Sequence, residues 1–219
     1  MSDEQIPDGT KPREPAERQR MFNAPGPALL TAASVLLIYA AQGLLPGDGQ
    51  AYALYPADVA AGRPTGLLTS IFLHASWAHA AMNAAFALAF GAPVARLFGV
   101  DVRGACGLIA FYLICGVAGG LAFVALHPGG TDAVVGASGA VSGLMGAAAR
   151  LMETPGRLGS PFSRPAMSMG AAWIVVNLLM AVTGFVPDGG GAGVAWEAHL
   201  GGFSAGLLLV GPFARLLGR

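Results

Sequence analysis

The sequence predicts an all-α membrane protein, a six-transmembrane-helix bundle, and two observations carry that prediction. The 219 residues are 54% hydrophobic and only 11% charged, whereas a water-soluble domain carries about 25% charged residues. The few charges also fall in short clusters separated by long neutral stretches. Six of those stretches approach the roughly 20 residues that a helix needs to cross a bilayer: 28–45, 71–92, 104–126, 134–152, 167–186 and 198–217. Each is bounded by Pro, Gly or a charge, the residues that end helices.

Residues 1–27, ahead of the first span, are polar and contain proline, with Lys11, Arg13, Arg18 and Arg20 mixed with Glu14 and Glu17. This is the composition of a disordered tail. Beyond the first span, Ala51-Tyr52-Ala53 has the small-x-small form of a cleavage site, but the apolar core before it exceeds the 7 to 15 residues usual in a signal peptide. A retained span is therefore expected. In the third span Cys106 and Cys115 lie on opposite faces of one helix, about 13 Å apart along its axis, so they cannot pair, and no metal-ligand spacing occurs. No repeat or second domain is visible, which leaves a tail, 1–27, and one bundle, 28–219.

With six spans both termini share a side. The tail, Arg96, Arg103, Arg150, Arg157, Arg164, Arg215 and Arg219 then share it too, eleven of the twelve Lys and Arg residues. Arg63 alone lies opposite, in the 46–70 loop, where the outer loops also hold Asp48, Asp58, Asp132, Asp188 and Glu197. Because Lys and Arg of short loops stay in the cytoplasm, both termini are expected there. A net charge of zero argues against nucleic acid as a partner.

Polar groups at membrane depth are costly and mark candidate sites. They are His74, His79, Asn83, Ser138, Ser142, Asn177 and His199. His79, Asn83, Ser138 and His199 fall in the early turns of the second, fourth and sixth spans, all of which start on the outer side. They therefore share one depth, within about two or three helical turns of water. Small residues at Gly136, Gly139, Gly143 and Ala147 in the fourth span, and at Gly202 and Gly206 in the sixth, allow those two helices to approach closely. Ser138 and His199 would then meet, a hydroxyl beside an imidazole, which is a nucleophile with its general base.

Singly, each residue is explained as ordinary helix packing; the shared depth of the four favours a site. His79 and Asn83, spaced i, i+4, could donate to an oxyanion together with the Ser138 amide, which a first-turn position leaves without a helical partner. His74 stands at the entrance of its span, either bracing the outer loop through a hydrogen bond or without a role. Asn177 fits interhelical hydrogen bonding. Ser138 and Ser142 lie one turn apart on one face, so spacing does not choose between them. Gly136 and Gly139 around Ser138 leave room for a substrate backbone, while the deeper Ser142 fits a bond to the carbonyl four residues back.

At these residues the chain resembles the rhomboid family of intramembrane serine proteases, in the minimal six-helix form typical of bacteria, over essentially residues 28–217. "LLTSIFLHASWAHAAMN" resembles the family's approach to its second helix, "GASG" its nucleophile motif and "AHLGGFSAG" its sixth-helix motif. The resemblance implies Ser138 as nucleophile, His199 as general base without a third acid, and His79 and Asn83 as oxyanion donors. It further implies cleavage of single-span membrane-protein substrates in or near their transmembrane segment, with no cofactor and no metal. It places such a protein in the lipid bilayer of a bacterial inner membrane, active site toward the outer face, gated through spans two and five.

Two departures stand out. Several relatives carry an aromatic residue four positions after the nucleophile, packed on the imidazole; here it is Ser142. The first outer loop lacks the Trp-Arg pair common in the family and offers only Arg63 with Gly66.

Other functions fit less well. A soluble hydrolase elbow, G-x-S-x-G, fails at Ala140 and lacks any βα alternation. A small transporter would place polar residues along a pathway, and no Asp, Glu or Lys lies at the midplane. A catalytically inert relative that binds membrane clients would have no need of both Ser138 and His199.

Overall fold

The computed structural model describes residues 23–153, 156–184 and 193–219. Most of the tail, with its four basic residues, and Asp188 lie outside them. The described residues form α1 (Gly26–Gln42), α2 (Pro56–Ala60), α3 (Gly66–Thr69), α4 (Trp77–Phe98), α5 (Val102–Leu126), α6 (Ser138–Ala149), α7 (Arg164–Thr183) and α8 (Trp196–Leu216). The six longer helices match the six predicted spans in order. By length and composition α4, α5 and α7 are long and apolar enough to cross a membrane, and α1 is a shorter apolar helix.

Two spans differ most from the sequence reading. The second span, expected at 71–92, begins six residues later because Ser76 caps it, accepting a hydrogen bond from the His79 amide at 3.1 Å. It then runs through Pro93 to Phe98. Proline is a helix-ending signal in sequence, but the buried residues Val94, Ala95 and Phe98 draw the last turn onto the core. The fourth span, expected at 134–152, holds only a 12-residue helix, about 18 Å long against a hydrocarbon core of about 30 Å. Every residue of α6 from Gly139 to Ala149 is buried. A helix surrounded by protein need not match the bilayer's thickness.

α6 is the centre of the bundle, packed by α8, α5 and α4. Its contact with α8 is glycine on backbone. A Cβ added at Gly202 would overlap the Gly139 carbonyl, one at Gly206 the Gly143 carbonyl, and one at Gly146 the Phe203 carbonyl. On the α5 side, a Cβ at Gly119 would lie 2.5 Å from the Ala198 carbonyl oxygen. At the opposite end from Ser138, the rings of Phe98, Phe111 and Phe213 pack on one another. Asp101 caps α5 there, accepting from the Gly104 amide at 2.7 Å, a bond that holds its carboxyl below the usual value. Arg219 joins that corner, donating to Asp101 at 2.8 Å and to the Phe98 carbonyl at 3.1 Å. α7 stands apart: of its 20 residues only Ala166 and Asn177 are buried.

The 46–70 loop is held by its own backbone. Gly66 crosses Ala53 and Leu54 so closely that a Cβ would lie 2.6 Å from the Ala53 carbonyl oxygen. Thr69 donates to the Tyr52 carbonyl at 2.7 Å. Arg63 pairs with Asp58 on the loop's surface.

The glycine seam makes a quantitative prediction. Gly206→Ala is expected to lower stability by about 1–3 kcal/mol, the usual cost of overpacking. Gly43→Ala, where nothing lies within 4 Å of the added carbon, should cost nothing measurable; denaturation of both variants in detergent micelles checks the contrast.

Candidate active site

The chain enters α6 as an extended segment pinned on both sides. Val134 and Leu54 exchange backbone hydrogen bonds at 2.9 and 3.0 Å, and the Gly136 amide donates to the Ser70 carbonyl at 2.9 Å. Gly136 then turns with φ 130°, a conformation open to glycine and strained for residues bearing a Cβ. Two residues later Ser138 begins the helix, upstream of its first backbone bond, Val141 amide to Ala137 carbonyl at 2.9 Å. Its own amide therefore belongs to the set that α-helices leave without an internal acceptor.

His199 lies in the first turn of α8 and is 8% exposed. Its Nε2 is 2.8 Å from Ser138 Oγ, and its Nδ1 is 2.7 Å from Oδ1 of Asn177 on α7. The Trp173 ring, one turn earlier on α7, lies 5.7 Å from the imidazole with 34° between the planes. An aromatic ring thus faces His199 from α7, although Ser142 occupies the position where several relatives have one. Ser142 Oγ donates to the Ser138 carbonyl at 2.7 Å, a side-chain-to-backbone bond within α6.

His79 and Asn83 share a face of α4, and both border a cavity of about 770 Å³ together with Ser138, Trp173, Val194 and His199. Asn83 is buried and donates one amide hydrogen to the His79 carbonyl at 3.1 Å. A methyl group on Gly136 would lie 2.9 Å from His79 Nε2 and 3.8 Å from Ser138 Oγ, so imidazole and hydroxyl flank the same point. Among the described residues no group of three His, Cys, Asp or Glu side chains is gathered to hold a metal ion.

His74 is buried behind the cavity wall, its ring edge-on to Tyr39 and His79. Its tie to α1 runs through its backbone: Gln42 donates to the His74 carbonyl at 3.0 Å and accepts from the His74 amide at 2.9 Å. The sequence reading did not single out Gln42. Glu197 belongs to the first turn of α8, not the preceding loop, and is buried 3.6 Å from His127 Nε2 at the end of α5.

The fold and this site together define a multi-pass helical membrane protein that encloses a serine–histidine pair at the head of a buried helix. The family model for the Rhomboid domain matches residues 61–215, and the chain belongs to the rhomboid family, whose members act on membrane-protein substrates within the bilayer. A search of curated proteins finds no match.

Gly136 separates backbone strain from crowding. Gly129→Ala, at φ 73° with open space around it, is expected to cost about 1–2 kcal/mol for its left-handed backbone. Gly136→Ala should cost more and also displace the His79 ring, read as a change in that imidazole's NMR resonances. Equal costs with unchanged His79 resonances would contradict this packing.

Proposed function

We propose that the chain is a serine endopeptidase that hydrolyses a peptide bond in or near the transmembrane segment of single-span membrane proteins. The observation that carries this reading is the 2.8 Å contact between Ser138 Oγ and His199 Nε2 at the floor of a cavity bordered by α4 and α7. His199 takes the hydroxyl proton as Ser138 Oγ bonds to the substrate carbonyl carbon. His79, Asn83 and the Ser138 amide supply donors to the oxyanion that forms, the contribution in which a preorganised site gains most. Collapse breaks the C–N bond, His199 returns its proton to the leaving amine, and an acyl-enzyme remains. Water, deprotonated by the same imidazole, releases the acid and restores Ser138.

In this reading the protein occupies the bacterial inner membrane with both termini cytoplasmic and the cavity toward the outer face. The distribution of Lys and Arg supports that orientation. Among residues of the cavity wall, Phe86 of α4 and Val176, Leu179 and Met180 of α7 offer an apolar surface to a substrate segment arriving from lipid.

Cleavage of a generic single-span substrate in liposomes tests the reading. Ser138→Ala and His199→Ala should reduce cleavage to background, Ser142→Ala should retain it, and Asn83→Ala should lower turnover by up to about 100-fold without unfolding. Wild-type protein that stays folded and cuts no substrate would instead favour a client-binding relative. Loss of activity in Ser142→Ala but not in Ser138→Ala would reassign the nucleophile. A reporter fused after Arg219 should report the cytoplasm; a signal from the other side would overturn the orientation.

A further inference from the structure

We propose that Asn177 is a positioning residue that holds the His199 imidazole in the tautomer the reaction requires. The inference rests on the reading of His199 as general base and goes beyond it by assigning the group on the base's other nitrogen. Asn177 is 0% exposed in the middle of an apolar helix, where an amide is stable only with its hydrogen bonds made. Its two partners fix its orientation. The Trp173 carbonyl can only accept, so the Asn177 Nδ2 that lies 2.8 Å from it is the donor. Oδ1 is thereby turned to His199 Nδ1 at 2.7 Å. A carbonyl oxygen carries no hydrogen, so Nδ1 bears the ring proton. The neutral imidazole then has its lone pair on Nε2, facing Ser138 Oγ at 2.8 Å, and the hydroxyl donates to it.

The chain Ser138 to His199 to Asn177 is therefore polarised in one direction, with an amide in the place where other serine hydrolases use a carboxylate. The buried carboxylate nearest in sequence, Glu197, faces His127 on α5. As the imidazole takes the Ser138 proton, Oδ1 remains on Nδ1–H and stabilises the cation that forms. The group comes from the helix that is least buried in the bundle, so the base is set only while α7 is seated against α8. A purely interhelical tie would need a partner somewhere on α8; this one is the imidazole nitrogen opposite the nucleophile.

The full chain in liposomes, with Asn177→Leu, Asn177→Ala and Asn177→Asp, tests this by two readouts. In ¹⁵N-histidine NMR, with His199 signals assigned by difference against His199→Gln, wild type should show protonated Nδ1 and bare Nε2. Asn177→Leu and Asn177→Ala should shift the ring toward the Nε2–H form. In cleavage assays those two variants should lower kcat by about 100-fold or more, the sense of a wrong tautomer in related chemistry, with KM within twofold. Asn177→Asp, which restores an acceptor, should recover kcat to within about tenfold of wild type. An unchanged tautomer, or a raised KM at unchanged kcat, would overturn the assignment. The NMR arm decides it even if wild type cleaves nothing, an outcome that would count against the protease reading alone.

Discussion

The close approach of α6 and α8 is the constraint on which the rest of this structure depends. Within lipid there is no hydrophobic drive between apolar helices, and association rests on dispersion contacts and polar bonds that small residues let form. Gly139 with Gly202 and Gly143 with Gly206 bring backbone against backbone, with no space for a side chain between them. Ser138 stands one residue, and His199 three residues, before the first of these contacts on their respective helices. A hydrogen bond tolerates only a few tenths of an ångström, so the seam that sets the spacing of the helices also sets the distance between hydroxyl and imidazole. Fold stability and site geometry are here the same contact.

The second support is a set of backbone ties around the mouth of α6. Leu54 with Val134, and Ser70 with Gly136, hold the extended segment that delivers Ser138. Gln42 clasps the backbone of His74, and Ser76 caps α4, fixing the start of the helix that carries His79 and Asn83. None of these ties needs a large side chain. Across the loop between α1 and α4, Gly66 lets the backbone cross that of Ala53 and Leu54.

Composition and the lengths of the apolar stretches made the six helices legible, because lipid imposes length and apolarity on anything that crosses it. The glycine spacing and the polar residues His79, Asn83, Ser138 and His199 were legible for the same reason: small or polar residues are conspicuous in an apolar helix. The end of α4 was not, because Pro93 signals termination locally and the packing of Phe98 lies far away in sequence. The brevity of α6 was hidden too, since a helix wrapped by protein is as apolar as one facing lipid. Gln42 and Trp173 gave no signal, their importance lying in partners 32 and 26 positions away. Asn177 was visible as a polar residue, but only the fold names the nitrogen it meets.

The bundle is thus divided in its mechanics. Ser138 and His199 ride on α6 and α8, which meet without side chains between them and are braced by α5. The groups around the imidazole, Trp173 and Asn177, ride on α7, which buries almost nothing else. The cavity gathers its polar groups from three helices, His79 and Asn83 of α4, Ser138 of α6 and His199 of α8, and takes Val176, Leu179 and Met180 of its apolar lining from α7. Such an arrangement keeps the Ser138–His199 distance on the closest helix contact, and the groups beside the imidazole on the helix with the fewest buried residues.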